Sequence, residues 1–139
     1  MNIREGTARD RDAILALRRA VFPRDDVEKQ RPEFWEWQFG RGRTFVAEEA
    51  GWVVGHLGFV PCRAAGVAAM LACDAMVEPG GRGRGVFSAL AKTATEIVRR
   101  DVPLVMACQI RKAVLPAMLR AGYAAVLRAP VVCGRRLRG

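Results

Sequence analysis

The sequence predicts an α/β (α+β) domain with a mixed sheet of about seven strands and about four helices. Three observations carry this. Strand-like and helix-like periodicities alternate in the order β-α-α-β-β-β-α-β-α-β-β. The run from Val67 to Val77 is almost continuously apolar, as in a central strand covered on both faces. It leads through the glycine-rich turn Gly80-Gly81-Arg82-Gly83-Arg84-Gly85 into an amphipathic segment.

Each element has its own signature. Asn2 to Gly6 reads as a first strand. Thr7 followed by Asp10 is a capping-box start, and the helix after it buries Ile14, Leu17 and Val21 until Pro23 ends it. Arg24 to Arg31 is charged and aperiodic, a loop. Pro32 opens a second helix, Glu33 to Phe39, rich in aromatic side chains and closed by Gly40 and Gly42. Thr44 to Glu49 and Trp52 to Cys62 form a hairpin around Ala50-Gly51, and Ala64 to Gly66 turns the chain into the central strand. After the glycine turn, Val86, Phe87, Leu90, Ala91, Ala94, Ile97 and Val98 mark one helical stripe. Leu104 to Cys108 is a strand, and a short helix follows Pro116 to about Ala121. Tyr123 to Arg128 and Val131 to Leu137 read as two last strands.

At 139 residues, 51% hydrophobic and 27% charged, the chain is expected to be one globular domain over residues 1–139. No apolar run reaches the length of a membrane span, and Asp10, Arg11 and Asp12 interrupt the N-terminus too early for a signal peptide, so a cytoplasmic protein is expected. The four cysteines include no Cys-x-x-Cys pair and His56 is the single histidine, which argues against a metal site. The formal net charge of +9 implies attraction to a polyanion, although Arg135, Arg136 and Arg138 concentrate part of it in the tail.

The glycine turn narrows the choice of anion. The amides at the mouth of the following helix have no intrahelical acceptors, and Arg82 and Arg84 add charge. The spacing fits neither a P-loop nor a dinucleotide fingerprint. Val77, Pro79, Arg82, Gly83 and Gly85 do fit Val-x-Pro-x-x-Arg-Gly-x-Gly, and on these residues the chain resembles the GNAT acetyltransferases. Gly80 departs from the Gln or Arg that opens the family's short motif. The resemblance covers essentially the whole chain, with the glycine turn as its specific motif.

That resemblance implies a mostly antiparallel central sheet whose fourth and fifth strands splay to hold coenzyme A, with acetyl-CoA as cosubstrate and no metal. It implies that backbone groups near Met76 and Val77 hold the pantetheine arm. It also implies that Arg82, Gly83, Arg84, Gly85, Val86, Phe87 and the Ser88 hydroxyl hold the diphosphate. Trp35, Trp37 and His56 would border the acceptor, with His56 expected half exposed on its strand. For proton transfer, Asp74, Glu78 and Tyr123 are the candidates, with Glu48 and Glu49 also near the strands. Many members carry a tyrosine four residues before the glycine of Gly-Phe; here that position is Met118. Asp74 is either a structural acceptor or a base, since a bare carboxylate in an apolar strand costs several kcal/mol. The partner expected is a small-molecule or peptide amine, without a membrane and with a homodimer left open. Two rival readings stand beside the enzyme. One is a degenerate acyl-CoA binder. The other is a nucleic-acid binder suggested by the charge and by Gly81-Arg82-Gly83-Arg84-Gly85.

Overall fold

The computed structural model describes residues 1–24, 27–108 and 110–126. Among them, five strands form one sheet: β1 (Asn2–Glu5), β2 (Arg43–Glu49), β3 (Trp52–Ala64), β4 (Val67–Val77) and β5 (Leu104–Ala107), in spatial order β1-β2-β3-β4-β5. The first four pair antiparallel, and β5 joins β4 in parallel. The α-helices are α1 (Arg11–Val21), α2 (Pro32–Phe39), α3 (Val86–Val98) and α4 (Leu115–Arg120).

Consecutive strand residues face opposite sides of a sheet, and β2 shows what each side meets. Phe45, its cross-strand partner Leu57, and Phe59 pack against Leu90, Ala94 and Val98 of α3 and Met118 of α4. On the other side Val46 and Met76 pack against Ile14 and Leu17 of α1. Phe45, Phe59, Leu57 and Leu90 are almost wholly buried, each stabilising the fold by about 1.5–3 kcal/mol relative to exposure. Trp35 of α2 packs on the Val46–Met76 cluster, half-buried, whereas Trp37 is 77% exposed and leans on Phe34. Phe39 closes this layer by lying against Gly58, where any Cβ would run into its ring.

The sequence predicts a further strand from Tyr123, and the structure differs there. Residues 123–126 belong to no strand, with Val126 92% exposed. No strand among the described residues offers them a ladder. The rest of that strand, and the one expected over residues 131–137, lie outside the described residues.

The start of α1 is tied down as its sequence requires. Thr7 and Asp10 form a reciprocal capping box around a single 3-10 turn, Ala8–Asp10, and the helix begins at Arg11. Asp10 also receives both guanidinium nitrogens of Arg4, at 2.8 and 2.9 Å, and Arg4 reaches on to Glu48. The Arg4 guanidinium holds the Asp10 carboxyl at about 2, below its ordinary 3.8. Between those values the unfolded chain binds more protons than the folded one. The contribution is therefore complete above the ordinary value and lost as pH falls through about 2. Asp10→Asn should lower stability at neutral pH by roughly 2 kcal/mol. Urea unfolding of both proteins should show this gap closing as the solution is acidified.

Candidate active site

The last ladder pair between β4 and β5 is Ala72–Ala107, yet β4 continues to Val77. Its outer edge from Cys73 onward has no β5 partner, and a wedge-shaped cleft opens there. A bulge on β4 sets the shape of this wedge. Gly58 pairs with Cys73 and His56 with Met76, so Asp74 and Ala75 together oppose the single residue Leu57. Asp74 takes the left-handed conformation, φ 50°, which costs a residue with a Cβ roughly 1–3 kcal/mol unless its surroundings enforce it. They do so at both ends of the residue. Arg18 Nη1 donates to the carboxylate at 2.9 Å, and His56 Nδ1 donates to the carbonyl at 2.8 Å.

The extra residue also exchanges the faces of β4. Met70 and Ala72 pack on the α3 side, and an unbulged strand would send Met76 there too; instead Met76 joins α1. His56 lies on that same α1 side. It is fully buried, with Phe39 edge-on at 5.7 Å, which corrects the expectation of a half-exposed residue. The reason is that β3 is an inner strand covered on both faces. Burial lowers the His56 pKa, so the imidazole is neutral with its proton on Nδ1, and Nε2 finds no partner among the described residues.

The glycine turn forms the opposite lip. Pro79–Gly81 makes a 3-10 turn, Gly83 and Gly85 follow with φ of 76° and 78°, and α3 begins at Val86. No heavy atom lies within 4 Å of where a Cβ would sit on Gly83 or Gly85. Gly81 and Arg82 donate to Glu78 and Pro79 carbonyls, and the next amide in the chain with a turn or cap acceptor is Ala89. Among the described residues the amides from Gly83 to Ser88 have no turn or cap acceptor, and all of these residues but Arg84 line the cleft, at the positive end of the α3 dipole. Arg120 of α4 reaches over them to donate to Ser88 Oγ at 3.1 Å.

The cleft between these lips measures about 950 Å³. Arg18, Lys29, Arg82, Arg111 and Arg120 line it, against Asp74 as the sole carboxylate among the described lining residues. Phe22 stands at its far end with the guanidinium carbons of Arg18 and Arg111 at 5.9 and 5.4 Å from the ring centre.

Of the residues singled out by sequence, the fold brings Asp74, Met76, Val77, Arg82, Gly83, Gly85, Val86, Phe87 and Ser88 together around this cleft. It sends others elsewhere. Arg84 turns away to Glu49 at 3.2 Å, and Glu48 is held by Arg4. Glu78 is exposed, its amide closing the strand end on Val54 at 2.8 Å. Tyr123 packs beside α3 with its hydroxyl 3.2 Å from Thr95 Oγ1, and burial pushes its phenol up. Trp35, Trp37 and His56 do not line the cleft. Among the described residues no group of three His, Cys, Asp or Glu side chains is arranged to hold a metal ion, and no helix is long and apolar enough to cross a membrane.

Among the lining residues that escaped the sequence reading are Arg18, Phe22, Lys29, Arg111 and Arg120. Arg18 left a trace, because it falls on the same helical stripe as Ile14, Leu17 and Val21 and is 8% exposed. A neutral buried His56 makes stability complete above its ordinary 6.5 and weaker below, because the unfolded chain takes up the proton first. His56→Gln, which keeps an N–H for the Asp74 carbonyl, should remove its part of that slope, at most about 1.4 kcal/mol per pH unit. His56→Leu should in addition cost about 1–3 kcal/mol in mild alkali, because it orphans the carbonyl. Urea midpoints on either side of neutrality check both.

Comparison with known proteins places this geometry. The family model described as an acetyltransferase (GNAT) domain matches residues 2–124. No curated protein matches the chain by sequence. Among solved structures, a GNAT family acetyltransferase from Brucella melitensis in complex with acetyl-CoA superposes with a TM-score of 0.72 at 20% identity, covering 95% of this chain and 90% of its own. An aminoglycoside acetyltransferase from an uncultured soil metagenomic sample, in complex with sisomicin, gives 0.73 at 16% identity over 99% and 96% of the two chains. A predicted acetyltransferase with acetyl-CoA from Clostridium acetobutylicum gives 0.70 at 15% identity over 95% of each. At these identities the likeness speaks for the fold, and the match of the family model over most of the sequence speaks for kinship: this chain belongs to the GNAT acetyltransferase family.

Proposed function

We propose that this chain is an acetyl-CoA-dependent N-acetyltransferase that moves the acetyl group to an amine by direct attack, acting as one domain over residues 1–139. One observation carries the reading: the glycine turn, whose amides from Gly83 to Ser88 have no turn or cap acceptor among the described residues, lines one cleft with the part of β4 that runs beyond its last β5 partner. An anion at a helix N-terminus is worth about 0.3–1 kcal/mol, and up to about 2 when partly buried. Several convergent amides, with Arg82 and Arg120, suit a diphosphate better than a single charge. The edge beyond Ala72 suits an extended amide-bearing arm, which would complete the ladder. When bound, acetyl-CoA supplies the activated acyl carbon.

The protein's own residues account for the rest. A backbone N–H near Met76 or Val77 stands where a carbonyl beside β4 gains negative charge. Asp74, paired with Arg18 at 2.9 Å, presents a carboxylate to the acceptor's ammonium, and water carries the proton away. Met118 lines the cleft and cannot donate, and Tyr123 is engaged with Thr95, so water serves the leaving thiolate. Five basic side chains against one carboxylate disfavour a polycationic acceptor such as an aminoglycoside.

Met118 also favours a second reading, a protein that binds acyl-CoA without turnover. Free-thiol release across a panel of amines decides between them: release above the hydrolysis background identifies the enzyme, and none identifies the binder. Acetyl-CoA at sub-millimolar concentration should raise the melting temperature, whereas short DNA or RNA at physiological salt should not; the reverse would favour nucleic acid. Gly83→Val should weaken acetyl-CoA binding by about tenfold or more while costing the fold about 1–2 kcal/mol for the left-handed β-branched residue. Gly80→Ala, with open space and no left-handed strain, should leave affinity within about twofold. Calorimetric titration of both variants measures this, and equal affinities would remove the turn from the binding site.

A further inference from the structure

The β4–β5 ladder ends on Ala72–Ala107, and the next residue of each segment is a cysteine. Side chains alternate across a sheet, so Cys73 and Cys108, each one step past that pair, project to one common face. Paired strands run about 4.8 Å apart, and a disulfide needs Cα atoms about 4.4–6.8 Å apart. The last rung of the ladder therefore starts the two cysteines from a spacing inside that window. Both thiols are free and both line the cleft. Burial above all raises the Cys73 thiol, and the nearby Cys108 adds a small share. Among the described residues Cys73 Sγ receives one weak hydrogen-bond contact, from Gln38 Nε2 at 3.9 Å.

We infer that Cys73 and Cys108 form a disulfide under oxidation, and that this bond shuts the cleft to an acyl thioester. A small disulfide such as oxidised glutathione is the oxidant. The exposed Cys108 thiolate attacks one of its sulfurs, forming a mixed disulfide and releasing the first glutathione thiolate. Cys73 then attacks the Cys108 sulfur and expels the second. The protein loses two electrons and two protons, and the glutathione disulfide gains both as two thiols. Burial holds Cys73 at about 12, so the second step quickens as pH rises. The bond extends the β4–β5 closure by one residue and sets two sulfurs where the cleft begins. Its effect on ligand entry rests on the reading of this cleft given above; its formation does not.

The test oxidises the full chain with glutathione disulfide, maps the peptides by mass spectrometry and titrates acetyl-CoA before and after. A linked Cys73–Cys108 peptide lacking two hydrogens, acetyl-CoA binding weakened by about tenfold or more, and recovery with dithiothreitol are expected. Cys108→Ser should show the same affinity before and after oxidant as itself. Cys62, which faces Ala69 within β3–β4, marks the background of ordinary thiol oxidation. Mixed glutathione adducts without the linked peptide would overturn the pairing, and a linked peptide with unchanged acetyl-CoA affinity would overturn the closure. If the reduced protein fails to bind acetyl-CoA, the functional reading falls while the peptide map still decides the pairing.

Discussion

The fold around the cleft depends on one residue held at both ends. Asp74 sits in a backbone conformation that a side chain resists, and the resistance is overcome by an arginine on its carboxylate and a histidine on its carbonyl. Everything downstream on β4 follows from the residue so inserted. Met76 changes faces, α1 gains its apolar seat, and the outer edge of the strand swings clear of β5. Buried ion pairs are weak sources of net stability, because desolvation offsets most of the attraction. Here the pair instead specifies where the strand bends. Asp74 is thereby a structural acceptor, and in the function proposed above also the carboxylate offered to the amine, roles that looked exclusive in the sequence.

Much of this was legible beforehand, and the residues show why the rest was not. The helical stripe after Gly85, the Thr7–Asp10 cap and the hairpin around Gly51 are local patterns, written within a few positions of one another. Asp74 announced itself as an anomaly in an apolar run. The partners that resolve the anomaly stand 56 and 18 positions away, and no local period reports a contact at that distance. The bulge itself has no sequence mark: it adds a residue without a glycine or proline. His56 was misread for the same reason, since an isolated strand gives no sign of how many layers will cover it. Residues 123–126, expected to open a strand, show the limit from the other direction, where alternation alone cannot supply a neighbour to pair with.

Composition was equally unable to assign the charge. A net +9 fits nucleic acid, acidic substrates or a phosphorylated ligand alike. The fold divides the arginines by task. Arg4, Arg43 and Arg84 are engaged with Glu48, Asp10, Glu5, Asp101 and Glu49 around the sheet edges and the glycine turn. Arg82, Arg111 and Arg120 face the cleft, where they make a local field that the total only hints at.

The placement of the three tryptophans gives the molecule a built-in optical gauge. Trp37 and Trp52 stand in solvent, while Trp35 is half-buried against the apolar cluster of Ile14, Leu17, Val46 and Met76. A soluble quencher will therefore silence two indoles and spare the third. The surviving emission comes from a ring seated in the same apolar layer as Met76 of β4, so light from Trp35 reports how that layer is packed without a label.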